Sequence, residues 1–105
     1  MQQLSREFAL PIVTFGHAGN GNLHVNILYD PADVAQSQRA KAALARVFAL
    51  TLSLGGTLSG EHGIGLSKRE FMVQALGAPT LAMMRAIKIA FDPDGILNPG
   101  KLLPD

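Results

Sequence analysis

The alternation of apolar and polar positions predicts a two-stranded segment followed by three helices. After a short helical turn, or the tail of a longer helix, at residues 4–9, Pro11 opens the run Ile12-Val13-Thr14-Phe15, whose β-branched residues suit a strand. Leu23, Val25, Ile27 and Tyr29 then alternate with His24, Asn26 and Leu28, the period of two that a half-covered strand requires. The odd positions of this second strand are expected to face the core and the even ones to carry its polar groups. Asp30 reads as a helix N-cap and Pro31 as the first helical residue. The helix they open runs from about Ala32 to Leu54, with Leu44, Val47, Phe48 and Leu54 on one stripe and Arg39, Lys41 and Arg46 off it. Gly55-Gly56 stops it. Thr57 begins a short third strand ahead of a glycine-rich loop, and Ser67 with Glu70 forms a capping box for a helix from Lys68 to just before Gly77. Pro79 starts the last helix, with Leu81, Met84, Ile87 and Phe91 spaced as one buried face. Asp92-Pro93-Asp94-Gly95 closes that helix in a turn, and the tail from Ile96 to Lys101 is irregular. The expected fold class is therefore α+β: a β-hairpin and a possible third strand packed against three helices.

Two of the three histidines flank the turn between the first two strands. Asn20-Gly21 is a strong signal for a two-residue type I′ turn, which needs positive φ at both positions. With those two residues as the loop, pairs whose numbers sum to 41 face each other: 19 with 22, 17 with 24, 15 with 26. His17 is then expected directly opposite His24, with Cβ atoms roughly 4.5–5.5 Å apart, and Asn26 shares their face. Two imidazoles at that spacing suit one metal ion and call for a third ligand, a carboxylate by preference. The plainer reading is a pair of turn histidines bonded to backbone carbonyls.

The loop Gly60-Glu61-His62-Gly63-Ile64-Gly65 holds the third histidine. Its glycines free the backbone for close approach to a ligand. Glu61 is the candidate third metal ligand. His62 is expected to project elsewhere and to act as a proton acceptor, a role the ordinary imidazole pKa near ~6.5 suits at neutral pH. The plainer reading is a turn with a solvated Glu and His. Neither Gly19-Asn20-Gly21 nor Gly63-Ile64-Gly65 completes a dinucleotide fingerprint, and no Walker or zinc-protease motif is present.

Composition narrows the classes. The 105 residues suffice for one domain with a modest core, and no repeat or linker divides them. Hydrophobic residues make up 48% and charged ones only 16%, which implies apolar surface covered by something outside the chain. A net charge of +1 without a basic run argues against nucleic acid as the main partner. With no cysteine, neither a disulfide framework nor a zinc ribbon can form. No apolar run reaches the ~18 residues of a membrane span, and the N-terminus lacks the regions of a signal peptide, so a cytoplasmic location is expected.

Three segments together resemble the C-terminal end of the FAD-linked oxidases, the group that includes glycolate oxidase, D-lactate dehydrogenase and D-2-hydroxyglutarate dehydrogenase. They are Gly16-His17-Ala18-Gly19-Asn20-Gly21-Asn22-Leu23-His24-Val25-Asn26, Gly60-Glu61-His62-Gly63-Ile64-Gly65, and the run from Phe91 to Lys101 that ends in Asn98-Pro99-Gly100-Lys101. Family members usually carry Asp at the position of Asn20, a change that preserves the turn. The resemblance implies a flavoenzyme that oxidises a D-2-hydroxy acid to the 2-keto acid. It further implies a zinc-like divalent metal held by His17, His24 and Glu61, a substrate contact at Asn26, His62 as general base, and Asn98 on the flavin side. The family's FAD-binding domain lies upstream, so residues 1–105 are expected to be a C-terminal fragment, inactive alone and prone to self-association or to pairing with other oxidase subunits. Two rival readings of the same residues are a stand-alone metal-binding module and a metal-dependent hydrolase with His62 as base.

Overall fold

The computed structural model describes residues 1–105, which form four helices and a two-stranded antiparallel sheet, an α+β arrangement. The chain divides into two compact units, Met1–Gly56 and Thr57–Asp105.

In the first unit, helix α1 (Gln2–Phe8) ends where Ala9 turns left-handed, and the Ser5 hydroxyl donates to the Leu10 carbonyl at 2.6 Å. This buries Leu4 and Leu10 and sends the chain into strand β1 (Ile12–His17), which pairs with β2 (Asn22–Ile27). Helix α2 (Val34–Ser53) starts later than the sequence suggests. Asp33 is the N-cap, its carboxylate accepting from the Gln36 N–H at 3.2 Å. Asp30 instead accepts from the Ala32 N–H at 2.9 Å, closing a local turn, and Pro31 lies in that turn rather than in the helix. Both aspartates can cap, and the one whose side chain is not engaged in a turn of its own takes the position.

The buried stripe of α2 is Ala40, Ala43, Val47 and Phe48. Of the expected stripe, Val47 and Phe48 are buried and Leu44 is half-buried, while Leu54 is the C-cap and exposed. Small side chains at 40 and 43 allow close backbone approach, and α1 is held to α2 by the Arg39 guanidinium on the Phe8 carbonyl (3.1 Å) and by the Arg46–Glu7 ion pair (2.9 Å). Gly55 and Gly56 end α2, donating to the carbonyls of Leu52 and Thr51 at 3.0 and 2.9 Å.

The second unit has no strand, so the third strand expected at Thr57 is absent and the sheet stops at two. The backbone there is held by side chains: Lys68 donates to the buried Leu58's carbonyl at 2.8 Å. The helix expected from Lys68 is a 3-10 turn (Arg69–Phe71) followed by a single α-turn, α3 (Met72–Ala75), with no side-chain cap at its start. The capping box fails because Lys68, not Ser67, is the N-cap residue. Phe71 and Met72 are buried, and Gly77 caps α4 (Ala78–Phe91), with Pro79 in its first turn. The expected buried face of α4 holds at Leu81 and opens beyond it: Ile87 is 54% and Phe91 84% exposed. No helix is long and apolar enough to cross a membrane.

Candidate functional site

The hairpin positions two histidines by a route that differs from the type I′ expectation. Ala18–Asn20 form a 3-10 turn closed by the Gly21 N–H on the Ala18 carbonyl at 3.1 Å, so four residues, not two, connect the strands. Pairs now sum to 39: Phe15 opposes His24, and His17 opposes Asn22. The direct opposition of His17 and His24 is thereby corrected to a diagonal one, a spacing of roughly 7–8 Å in a regular ladder. A shift of two residues, unlike a shift of one, keeps every side chain on its face. Val13, Phe15, His17, Asn22, His24 and Asn26 therefore still share one side of the ribbon. Gly16 makes the register workable. Its φ is +149°, and a Cβ there would lie 2.4 Å from the Asn22 carbonyl oxygen, so only glycine lets the strands close at that point.

Phe15, promoted to the place opposite His24, stacks on its imidazole with ring centroids 5.1 Å apart and an interplanar angle of 23°. His24 is half-buried, and His17 and Asn26 are exposed. The odd positions of β2 are not core: Leu23 and Tyr29 are exposed, Val25 and Ile27 half-buried. Val25, Ile27, Ala40 and Leu44 line a groove of about 620 Å³ in the first unit, so α2 covers that side of the ribbon only in part.

In the second unit, Glu61 and His62 are exposed on the glycine loop, with Glu61 Oε1 3.7 Å from His62 Nε2. Their tips converge, whereas adjacency in sequence suggested divergence. The loop bends at Gly63 (φ +78°), whose N–H donates to the Ser59 hydroxyl oxygen at 2.7 Å, and this turns both side chains to a common region.

Asn98 takes a left-handed backbone (φ 46°), a conformation asparagine tolerates better than most residues. It lines a groove of about 690 Å³ with Met84, Ile87, Phe91, Lys88 and Asp92. Asp92 is the residue that sequence reasoning missed. It read as part of a turn, yet its carboxylate is buried and accepts from Lys88 and from the N–H groups of Ile96 (3.1 Å) and Leu97 (2.9 Å). The Lys88 ammonium holds this carboxyl below the usual range, the two amides add to the effect, and burial opposes it. The signal was present as a Lys–Asp pair four apart at a helix end, just ahead of Pro93.

Comparison with known proteins places these residues in a family context. The family described as "FAD linked oxidases, C-terminal domain" matches residues 1–102. The chain is 39% identical over 102 residues to "Glycolate oxidase subunit GlcD" of Bacillus subtilis (strain 168), covering 97% of this chain and 22% of that protein. It is 36% identical to "D-lactate dehydrogenase" of Anaerostipes hadrus over 102 residues, 96% of this chain and 22% of the relative. With "D-2-hydroxyglutarate dehydrogenase" of Stutzerimonas stutzeri (strain A1501) it shares 41% over 93 residues, 87% of this chain and 20% of the relative. The chain thus spans about a fifth of the length of these curated relatives.

Proposed function

Since the chain belongs to the FAD-linked oxidases, as their C-terminal domain, we propose that it forms the substrate side of a flavoenzyme oxidising a D-2-hydroxy acid, of the glycolate or D-lactate kind, to the 2-keto acid. The observation that carries this reading is that His17, His24 and Asn26, all within the matched residues, lie on one face of the hairpin. Imidazole and carboxylate donors are the kind that suit a zinc-like divalent ion, which His17, His24 and Glu61 would hold. Such an ion, when bound, would supply Lewis acidity toward the substrate's hydroxyl and carboxylate, and a flavin would supply the hydride acceptor.

The chain's own groups do the remaining work. Phe15 stacks on His24 and restricts the rotation of its ring, so that a ligand nitrogen is oriented before binding. Asn26 offers a carboxamide on the histidine face, able to donate to a substrate oxygen and fix its orientation. His62 removes the hydroxyl proton at one ring nitrogen as general base. Asn98 would face the flavin.

Metal analysis of the purified chain tests the site. About one divalent ion per chain is expected, falling toward zero in His17→Ala, His24→Ala and Glu61→Ala. Metal content unchanged in both histidine variants removes the metal site and the substrate-binding role built on it.

A further inference from the structure

Helix α4 is closed by its own backbone, the Asp92 N–H donating to the Lys88 carbonyl at 2.9 Å. The side chains of the same two residues are therefore left to do something else. The Asp92 carboxylate, 4% exposed, takes the N–H groups of Ile96 and Leu97 at 3.1 and 2.9 Å. The Lys88 ammonium pairs with that carboxylate and also donates to the Leu97 carbonyl at 2.8 Å. Both hydrogen-bonding groups of Leu97 are thus held, one by each member of the ion pair. The Leu97 carbonyl belongs to the peptide that enters Asn98, so the plane preceding Asn98 is fixed from α4. On the other side Pro99 restrains the backbone, and the Asn98 carbonyl accepts from the Lys101 N–H at 3.4 Å. Between these restraints Asn98 sits left-handed at the edge of the apolar groove walled by Met84, Ile87, Phe91 and Leu97.

We propose that Asp92 and Lys88 are positioning residues, whose ion pair holds the Leu97–Asn98 peptide so that Asn98 presents its carboxamide toward the flavin. This rests on the reading of Asn98 as a flavin-side residue. A pair serving only to end the helix would have no need to reach five and nine residues ahead. Removing its charge should release the turn while α4 stays intact.

The test has two parts. In the 105-residue chain, hydrogen exchange at Ile96 and Leu97 is expected to speed up roughly tenfold in Asp92→Asn, the size of one charge-assisted hydrogen bond, with the α4 amides unchanged. Equal exchange in both proteins overturns the proposal. In the flavoprotein that the proposed function makes of this domain, flavin affinity is measured by absorbance after dilution and gel filtration. Asn98→Ala and Asp92→Asn are each expected to weaken it about tenfold, with no further loss in the double variant, because both act through one carboxamide. Lys88→Arg, which keeps the charge and a donor, is expected to restore most of what Lys88→Met loses. Losses that add in full overturn the positioning role and leave only a stabilising one. If Asn98→Ala weakens flavin binding and Asp92→Asn does not, the positioning proposal alone falls. An Asn98→Ala variant that retains flavin unchanged removes the flavin-side reading, and the proposal with it.

Discussion

At the residue scale, the most consequential side chains are the ones with the most specific surroundings. Gly16 could be seen in the sequence only as one glycine among 11, and its role depends on a carbonyl six residues away that no local pattern reveals. Asp92 was hidden differently. Its partners are Lys88 before it and two backbone amides after it, and backbone amides carry no residue-type signal. Its charge makes a testable contribution to pH dependence. The folded carboxyl titrates below its ordinary value of about 3.8, so the stabilisation is fully present above that value and is lost as pH falls through the folded one. Denaturant midpoints of the chain from pH 6 down to pH 3 should therefore fall more steeply than those of Asp92→Asn. Parallel profiles would show that the ion pair contributes nothing to folding.

At the element scale, the period of two in β2 and the glycine stop of α2 were legible because each depends on neighbours in sequence. The hairpin shows where such reasoning ends. Asn20-Gly21 favours a two-residue turn, but a four-residue 3-10 connection pairs Ile12 with Ile27 and sets Phe15 against His24. Cross-strand packing, not turn propensity, decides between two registers that keep the same faces. The start of α2 is a second case, with Asp30 and Asp33 both eligible as caps. Asp33→Ala should cost about 1 kcal/mol in urea unfolding, as the loss of an N-cap does, and Asp30→Ala clearly less. The reverse order would return the helix start to Asp30.

At the scale of the whole molecule, the low charge content finds its counterpart in the surface. Phe91, Ile96, Met83 and Ile89 of the second unit are all more than half exposed, as are Phe15 and Leu23 on the hairpin. Soluble monomers rarely leave so many large apolar side chains uncovered, so the isolated chain is expected to self-associate as its concentration rises. Sedimentation velocity across a concentration series measures this, with Phe91→Ser shifting the distribution toward monomer; a single monomeric species at all concentrations would refute the expectation. The sequence by itself determined the α+β class, the family, the side of the ribbon that carries His17, His24 and Asn26, and the places where helices stop. All of these follow from residue type and short-range period. Only the tertiary structure decided the strand register, the absence of a third strand, the convergence of Glu61 with His62, and the grip of Asp92 on the turn before Asn98. Those depend on which carbonyl, amide or ring arrives opposite a given side chain, and residue type and short-range period do not encode that.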